Sequence, residues 1–480
     1  MWKSRLFYLL GNWILIVCAF QLVPLAVAIA LGEKASFHSL FSSILITGLF
    51  GGSLVLGFRS TEKIRVPRLT LFLPIWGAIS LALVTGLPFF FLFPEEGFFA
   101  AFYEGMSLIT TNGTSAYEGA LGSLKAIELW RAMAAWIGGY LAICITLSLL
   151  TVMNIGGLQI HHSPMPFGDS EAGYPRLKAT ALALYPVYLT VTFVCFFLLW
   201  IGGTSFFDAV RLAMATISTT GLSGVSDAYT QSFWPQFVLA VFMLMSLSNW
   251  DIHYVIYKKR TLHVGTNHEF RSALLLIAAA MIFLTLYEGS FNIEFIWNAL
   301  FSSISAISTV GVMPTSFLEG GNANLPIAIV MMALAGVGGA TISACGGLKQ
   351  LRMIVIYRAG RSELDRLVHP HAVQGLHYDS SKIQKRDVDA IWLLLGSFIL
   401  VLLLGALALA ILGIHFQDAF SMAFTALTLS GPLINMADPY FGGFAGLKDV
   451  DYFILTMLML IGRVEASLFF ALFAKSLWRG

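Results

Sequence analysis

Four times along the chain, an apolar segment too short to cross a bilayer runs into a small polar string ending in glycine: Thr110-Thr-Asn-Gly113, Ser218-Thr-Thr-Gly221, Ser308-Thr-Val-Gly311 and Thr428-Leu-Ser-Gly431. Each string places a hydroxyl residue three positions before its glycine, and successive glycines stand 108, 90 and 120 residues apart. The lead-in segments lie near 97–109, 205–217, 293–307 and 416–427. As helices they reach only about 18 to 22 Å, at about 1.5 Å per residue, against a hydrocarbon core of about 30 Å. They must therefore enter a membrane and turn back. Non-helical backbone is tolerated at that depth only when it is buried in protein or lines a wet cavity, because lipid offers no hydrogen-bond partners. Four re-entrant hairpins around one axis meet that condition together.

The rest of the chain supplies the membrane. Of 480 residues, 58% are hydrophobic and 11% charged, where a soluble domain carries about 25% charged residues. Ten apolar runs are long enough to span, near 7–31, 38–58, 69–94, 126–153, 179–202, 233–257, 272–288, 325–348, 390–413 and 452–474. The first lacks a small-residue cleavage site and reads as a retained helix rather than a signal peptide. No soluble domain of useful size remains between them. Lys and Arg bias loops toward the cytoplasm. Of the 28 basic residues, 22 fall at the termini or after even-numbered runs, five fall opposite (Lys34, Lys125, Arg131, Arg211, Lys448), and Arg463 lies inside the last run. Both termini are thus expected in the cytoplasm. Of the 26 acids, 15 fall on the outer side, where they would concentrate cations within a screening length of about 8 Å.

This pattern divides the chain into two N-terminal helices, 1–62, and four units at 63–170, 171–262, 263–380 and 381–480, each a span, a half-helix, a string and a second span. A glycine after a half-helix can take backbone angles closed to other residues, turning successive carbonyls toward a common centre. The half-helix C-terminus adds partial negative charge there, and a ring of carbonyl oxygens can replace the water shell of a cation. Small-residue helix contacts account equally well for Gly138-Gly139 or Gly202-Gly203. They do not account for four strings with half-length lead-ins.

At these residues the sequence resembles the Trk/Ktr/HKT superfamily of potassium transporters, most closely its bacterial TrkH type. Three further segments carry the resemblance: Gly336-Val-Gly-Gly-Ala-Thr-Ile-Ser-Ala-Cys-Gly-Gly-Leu-Lys349 looks like that family's broken helix, Leu367-Val-His-Pro-His-Ala-Val373 like its cytoplasmic loop, and Ile461-Gly-Arg-Val-Glu465 like its last helix. The resemblance implies an all-α polytopic membrane protein of two N-terminal helices and four membrane-pore-membrane repeats, in pseudo-fourfold arrangement around a single pore. It also implies homodimerisation, a bacterial inner-membrane location and potassium selectivity, with sodium or rubidium as the competing ions. Carried over position by position, the selectivity filter would comprise Thr111, Asn112, Gly113 and Thr114; Thr219, Thr220, Gly221 and Leu222; Thr309, Val310, Gly311 and Val312; and Leu429, Ser430, Gly431 and Pro432. All four central glycines are present, whereas some relatives that favour sodium carry serine at the first. The chain departs from the pattern at Asn112, where threonine is usual, at Val312-Met-Pro314, and at Thr428-Leu-Ser-Gly-Pro-Leu433, which replaces an asparagine-rich fourth string.

The resemblance further implies an intramembrane gate at Gly336, Gly338, Gly339, Thr341, Ser343, Gly346 and Gly347, with Arg463 as a positive barrier below the filter. It suggests that the cytoplasmic run 349–386, with eight basic residues and three acids, docks a cytosolic nucleotide-binding regulatory subunit. Read from the residues alone, that run is also an ordinary positive-inside loop. Glycine costs a helix about 0.8 to 1 kcal/mol per residue relative to alanine, so the eighth run is expected to unwind at its middle. Broken helices also bind substrate in secondary transporters. A charge such as Arg463 inside a span costs about 2.5 to 3.5 kcal/mol, so it must face the pore or pair with backbone carbonyls or a buried acid; Glu465, two residues on, does not share its face.

Other signals are weaker. Cys18, Cys144, Cys195 and Cys345 lie in or beside apolar runs without CxxC spacing and read as packing residues. His161-His162 and His369-Pro-His371 have no carboxylate or cysteine cluster at ligand spacing. Gly346-Gly-Leu-Lys349 lacks the GK[ST] order of a phosphate-binding loop. No cofactor and no nucleic-acid partner are expected. The competing reading, a sodium- or proton-coupled secondary transporter for sodium or another solute, calls for an acid near the midplane, and Glu465 is the one deeply placed acid on this reading. An intramembrane enzyme would show paired aspartates or an HExxH string in its spans, and none occurs. The sequence thus points to non-enzymatic potassium uptake through a carbonyl-lined filter with a gating loop.

Overall fold

The computed structural model describes residues 2–59, 67–122, 124–147, 174–222, 232–259, 268–289, 291–314, 325–369, 377–378, 381–437 and 443–464. His161, His162, His371, Glu465 and the distal ends of the fourth and tenth runs lie outside the described residues. Two N-terminal helices, α1 (Trp2–Leu31) and α2 (Lys34–Gly57), precede the units. The first unit comprises α3 (Pro67–Leu92), α4 (Gly97–Ile109) and α5 (Lys125–Ile145). The second comprises α6 (Tyr174–Ile201), α7 (Phe206–Ile217), and a span bent by 99° into α8 (Phe233–Leu247) and α9 (Trp250–Lys259). The third comprises α10 (His268–Glu288), α11 (Ile293–Ile307), α12 (Leu325–Val337) and α13 (Gln350–Val368). A two-residue antiparallel ladder, β1 (His377–Tyr378) on β2 (Ser381–Lys382), leads to the fourth. That unit holds α14 (Lys385–Ile411), α15 (Phe416–Thr428), a short turn of helix α16 (Ile434–Ala437) and α17 (Asp449–Val464).

Each of the ten expected runs carries helix among its described residues, although the sixth is interrupted at Ser248–Asn249 and the eighth is helical only to Val337, and the four half-helices lie within one residue of their expected bounds. Six described helices are long and apolar enough to cross a membrane. The ninety-nine-degree bend after Leu247 was not legible as a break in the sixth run, and its cause emerges below.

Burial runs in the sense that lipid dictates. On α2 the inward positions are Ser36, Ser39, Ser43, Thr47 and Gly51, with Leu45, Leu49, Phe50 and Leu56 outward. Between helices in lipid there is no hydrophobic drive, so small residues that allow close approach form the contact. The same device seats the half-helices. A Cβ at Gly105 of α4 would overlap the Ala82 carbonyl of α3, and one at Gly86 would overlap the Ala101 carbonyl. Gly138 and Gly139 of α5 press on Ile109 and Ser218, the C-terminal ends of the first two half-helices, and Gly462 of α17 presses on Leu427 of the fourth.

Acids cluster at half-helix N-termini, five of the fifteen that charge counting assigns to one side. Glu95 and Glu96 precede α4, and Asp208, Glu294 and Asp418 occupy the first turns of α7, α11 and α15. A carboxylate there complements the positive end of the helix dipole. The Ser205 hydroxyl and Asn292 amide oxygen also accept the backbone N–H groups of Asp208 and Glu294.

Candidate functional site

Each half-helix ends in the same backbone motif. In the first, the Thr111 N–H bonds the Leu108 carbonyl at 3.1 Å and the Asn112 N–H bonds the Ser107 carbonyl at 2.8 Å. Thr219 and Thr220 repeat this on Thr216 and Ala215, and Thr309 and Val310 on Ala306 and Ser305. Ser430 bonds Thr425 in the fourth. These are Schellman caps, which place one residue in the left-handed region. That residue is not glycine: it is Thr111, Thr219, Thr309 or Leu429, with φ of 64°, 58°, 58° and 58°. The expectation that the glycine supplies the special angle is therefore corrected. Gly113 and Gly311 do have positive φ, but Gly221 and Gly431 are absent from the positive-φ set. Their smallness matters for space instead.

Left-handed threonine and leucine cost on the order of 1–2 kcal/mol each, a strain that persists only where the surroundings over-determine the conformation. Here the surroundings are the other strings. A Cβ at Gly113 would overlap the Gly221 carbonyl, and one at Gly221 the Val310 carbonyl. One at Gly311 would stand 2.9 Å from the Leu433 nitrogen and 3.3 Å from the Ser430 oxygen, and one at Gly431 2.6 Å from the Asn112 oxygen. The Gly431 N–H donates to that Asn112 oxygen at 3.0 Å. First string touches second, second third, third fourth, and fourth first: the cycle closes.

Several polar side chains in the strings are held locally. Ser218 and Thr220 hydroxyls bond at 2.9 Å, Thr428 and Ser430 hydroxyls at 2.7 Å, and the Asn112 amide donates to Thr114 Oγ1 at 2.7 Å. Tyr103 and Ser107 of α4 grip Thr114 through its hydroxyl and its carbonyl. What one string presents to the next is thus mostly backbone oxygen. All sixteen expected filter residues are buried except the partly buried Pro432, whose string closes in a tight turn over Gly431–Leu433.

The glycine-rich segment lies against this cycle. Helix α12 stops at Val337, and backbone without helical bonds runs to Lys349, with positive φ at Gly338, Gly347 and Lys349. Its neck closes through the Leu348 N–H on the Gly336 carbonyl and the Gln350 N–H on Gly339, both 2.9 Å. Lys349 staples the interior, donating from Nζ to the Cys345 carbonyl at 2.5 Å and to Ser343. The Gly346 N–H donates to Thr309 Oγ1 at 3.0 Å. A Cβ on Gly346 would collide with the Thr428 carbonyl, and Cys345 neighbours Thr219.

Arg463 joins the two. Its Nε donates to the Thr110 carbonyl at 3.0 Å, Nη1 to the Ala344 carbonyl at 2.8 Å, and Nη2 to the Thr110 carbonyl and the Thr111 hydroxyl. The arginine is therefore bound to backbone oxygens of both string and loop. The loop thereby meets elements of all four strings.

Sequence reasoning missed several buried polar residues. Glu104, within the apolar α4, is fully buried and accepts from Arg131 Nε at 2.8 Å, the Ser115 hydroxyl at 2.8 Å and the Ala116 N–H at 3.1 Å. Glu128 and Arg211 form a second buried pair at 2.7 Å. Arg131 and Arg211 are thus helix residues in ion pairs, not free charges of outer loops. Glu269 and Asp251 are also buried, so acids other than Glu465, which lies outside the described residues, are withdrawn from solvent. The missed signal was a single acid inside an apolar segment, Phe102-Tyr-Glu-Gly105.

A family model described as TrkH, cation transport protein, matches residues 87–479. The chain is 29% identical over 391 residues to the Trk system potassium uptake protein TrkH of Vibrio parahaemolyticus, covering 79% of each chain. It is 29% identical over 407 residues to TrkH of Escherichia coli strain K12, covering 82% of this chain and 83% of that one. Against the Trk system potassium uptake protein TrkI of Halomonas elongata it is 24% identical over 485 residues, covering 100% and 97%. The crystal structure of the potassium transporter TrkH from Vibrio parahaemolyticus superposes with a TM-score of 0.88, at 25% identity and full coverage of both chains.

Proposed function

The chain belongs to the TrkH family of cation transport proteins, and on that premise we propose that it takes up potassium through the ring formed by its four strings. The family transports ions and performs no covalent chemistry. The observation that carries the reading is the closed cycle of contacts from Gly113 through Gly221 and Gly311 to Gly431 and back. Backbone oxygens gathered in a ring substitute for the hydration shell of a cation, and four half-helix C-termini aimed at it add negative potential. The local ties of Thr220 and Ser430 hold those hydroxyls within their own strings and favour the backbone carbonyls as ligands. Thr111 to Thr114, Thr219 to Leu222, Thr309 to Val312 and Leu429 to Pro432 form this filter, within two N-terminal helices over 1–62 and four units over 63–170, 171–262, 263–380 and 381–480.

The same reading makes the 336–347 segment, unwound from Gly338 onward, a gate. It sits against the strings through Gly346 and, by way of Arg463, against Thr110 and Thr111, so an ion leaving the filter meets a plug and a positive charge. Opening requires both to move. Both termini lie in the cytoplasm of a bacterial inner membrane on this reading, and the protein works as a homodimer. A cytosolic nucleotide-binding regulatory subunit docks on the 349–386 run, where α13 exposes Tyr357, Leu364, Leu367 and Val368.

Rubidium and sodium flux in proteoliposomes under an imposed voltage tests the proposal. Voltage-driven rubidium entry that exceeds sodium entry is expected. Equal entry of the two ions, or entry independent of voltage, would remove the filter reading.

A further inference from the structure

Among the described residues two spans are broken, and they are broken against each other. Helix α8 ends at Leu247 and α9 starts at Trp250, with Ser248 and Asn249 at the corner. The third-unit span opens between Val337 and Gln350. Each break frees backbone groups that hydrocarbon cannot satisfy. The two segments satisfy one another: the Ala340 N–H donates to the Leu247 carbonyl and the Trp250 N–H to the Ile342 carbonyl, both at 2.9 Å. Each break thus supplies partners for backbone groups freed by the other, which gives the bend after Leu247 a physical cause.

Side chains lock the junction. Asn249 Oδ1 accepts the Ile342 N–H at 2.8 Å. Glu269, in the first turn of α10 and 1% exposed, accepts the Thr341 N–H at 2.6 Å and the Thr341 hydroxyl at 2.9 Å on one oxygen. Its other oxygen accepts from Asn249 Nδ2 at 3.3 Å. Residues 340–342 are thus held by the bend of the second unit and by the first helix of the third. Hydrogen bonds to a charged acceptor are about twice as strong as neutral ones, and Glu269 supplies two of them to a single loop residue.

We propose that Asn249 and Glu269 are positioning residues that latch the 338–349 loop beneath the strings, and that the corner at Ser248 and Asn249 moves with the loop when the pore opens. The inference rests on the reading of that loop as a gate. Displacing α9 breaks the bonds at Leu247 and Trp250 and withdraws Asn249 from Ile342, so a force on the cytoplasmic end of the second unit reaches the gate without touching it.

Cys345 supplies a probe independent of flux. It is fully buried in the loop, three residues beyond Ile342. With Cys18, Cys144 and Cys195 replaced by alanine, the rate at which a water-soluble thiol reagent modifies Cys345 reports loop release in the full-length protein in proteoliposomes. N249A and E269A are expected to speed modification roughly tenfold, as losing one strong hydrogen bond implies, and to raise rubidium flux at an unchanged rubidium-to-sodium ratio. E269Q, which keeps an acceptor oxygen, is expected to fall between. Should N249A not assemble, N249S gives the same comparison. Unchanged Cys345 protection in assembled variants, even with a lowered melting temperature, would overturn the latch. Faster modification with unchanged flux would uphold the latch and remove the loop from its role as gate, so the two failures are distinguishable.

Discussion

Arg463 reaches across from the last described helix to donate a hydrogen bond to the Ala344 carbonyl at 2.8 Å, while its other nitrogens hold Thr110 at the base of the first string. One cation therefore ties the loop to the first string. Under the proposed function, Arg463→Ala removes both a positive barrier and a tether, and rubidium flux should rise several-fold at similar protein yield. Arg463→Lys keeps the charge but loses the planar fork of donors, so it should fall between wild type and alanine. Unchanged flux alongside poor assembly would assign the arginine to packing alone. Radiotracer flux normalised to reconstituted protein makes the measurement.

Gly113→Ser tests the ring where its first two strings meet. Gly113 has φ of 88°, and any Cβ there meets the Gly221 carbonyl oxygen. A serine must push the two strings apart or strain its backbone by about 1 to 3 kcal/mol. Displaced carbonyls no longer match a dehydrated potassium ion, so the rubidium-to-sodium flux ratio should drop toward one while the protein still assembles. A ratio unchanged from wild type would count heavily against this string as a filter element.

How far the sequence could be read depended on the range of the interaction. Helix positions, half-helix bounds and the unwinding after Val337 followed from length and local composition, which one window of residues contains. The cycle of Gly113, Gly221, Gly311 and Gly431 was legible as repetition, although the backbone role fell to Thr111, Thr219, Thr309 and Leu429 instead. Left-handed threonine has no local signature, because it is imposed by neighbouring strings about a hundred residues away. The bend after Leu247 was hidden for the same reason: Ser248-Asn249 looks like any polar pair until Ala340 and Ile342 arrive to bond it. Glu104 and Arg131, 27 residues apart, were misread because charge counting assigns residues to loops and cannot see a pair close inside the protein.

Close packing of the half-helices on their spans sets a third expectation. Gly105 of α4 has the Ala82 carbonyl of α3 where a Cβ would go, with the Gly86 nitrogen 2.8 Å from that position. These obstacles are backbone atoms, so no rotamer change relieves them. Gly105→Ala should destabilise the folded protein by about 1 to 3 kcal/mol, the usual cost of overpacking, and Gly105→Val by more. Thermal unfolding in detergent, followed by size-exclusion fluorescence, should show the lowered midpoint. Wild-type stability for the valine variant would mean that α3 and α4 do not approach so closely.

The buried pair of Glu104 and Arg131 yields the last expectation. Both side chains are almost fully buried, 0% and 3% exposed, and Glu104 also holds the chain just after the first string through Ser115 and Ala116. Glu104→Ala removes the carboxylate paired with a buried guanidinium and frees that segment, a loss of about 3 to 5 kcal/mol when one partner of a buried pair is removed. Arg131→Ala strands the carboxylate but leaves the Ser115 and Ala116 bonds in place. Stability should therefore fall in both, whereas the rubidium-to-sodium ratio should fall more in Glu104→Ala, because only that variant releases the backbone beside Thr114. Glu104→Gln, which retains an acceptor oxygen for Ser115 and Ala116, should restore much of the selectivity but less of the stability. Parallel thermal midpoints and flux ratios for the three variants separate anchoring of the string from simple charge burial. Equal loss of selectivity in Glu104→Ala and Arg131→Ala would show that the ion pair alone, not the grip on Ser115 and Ala116, shapes the first string.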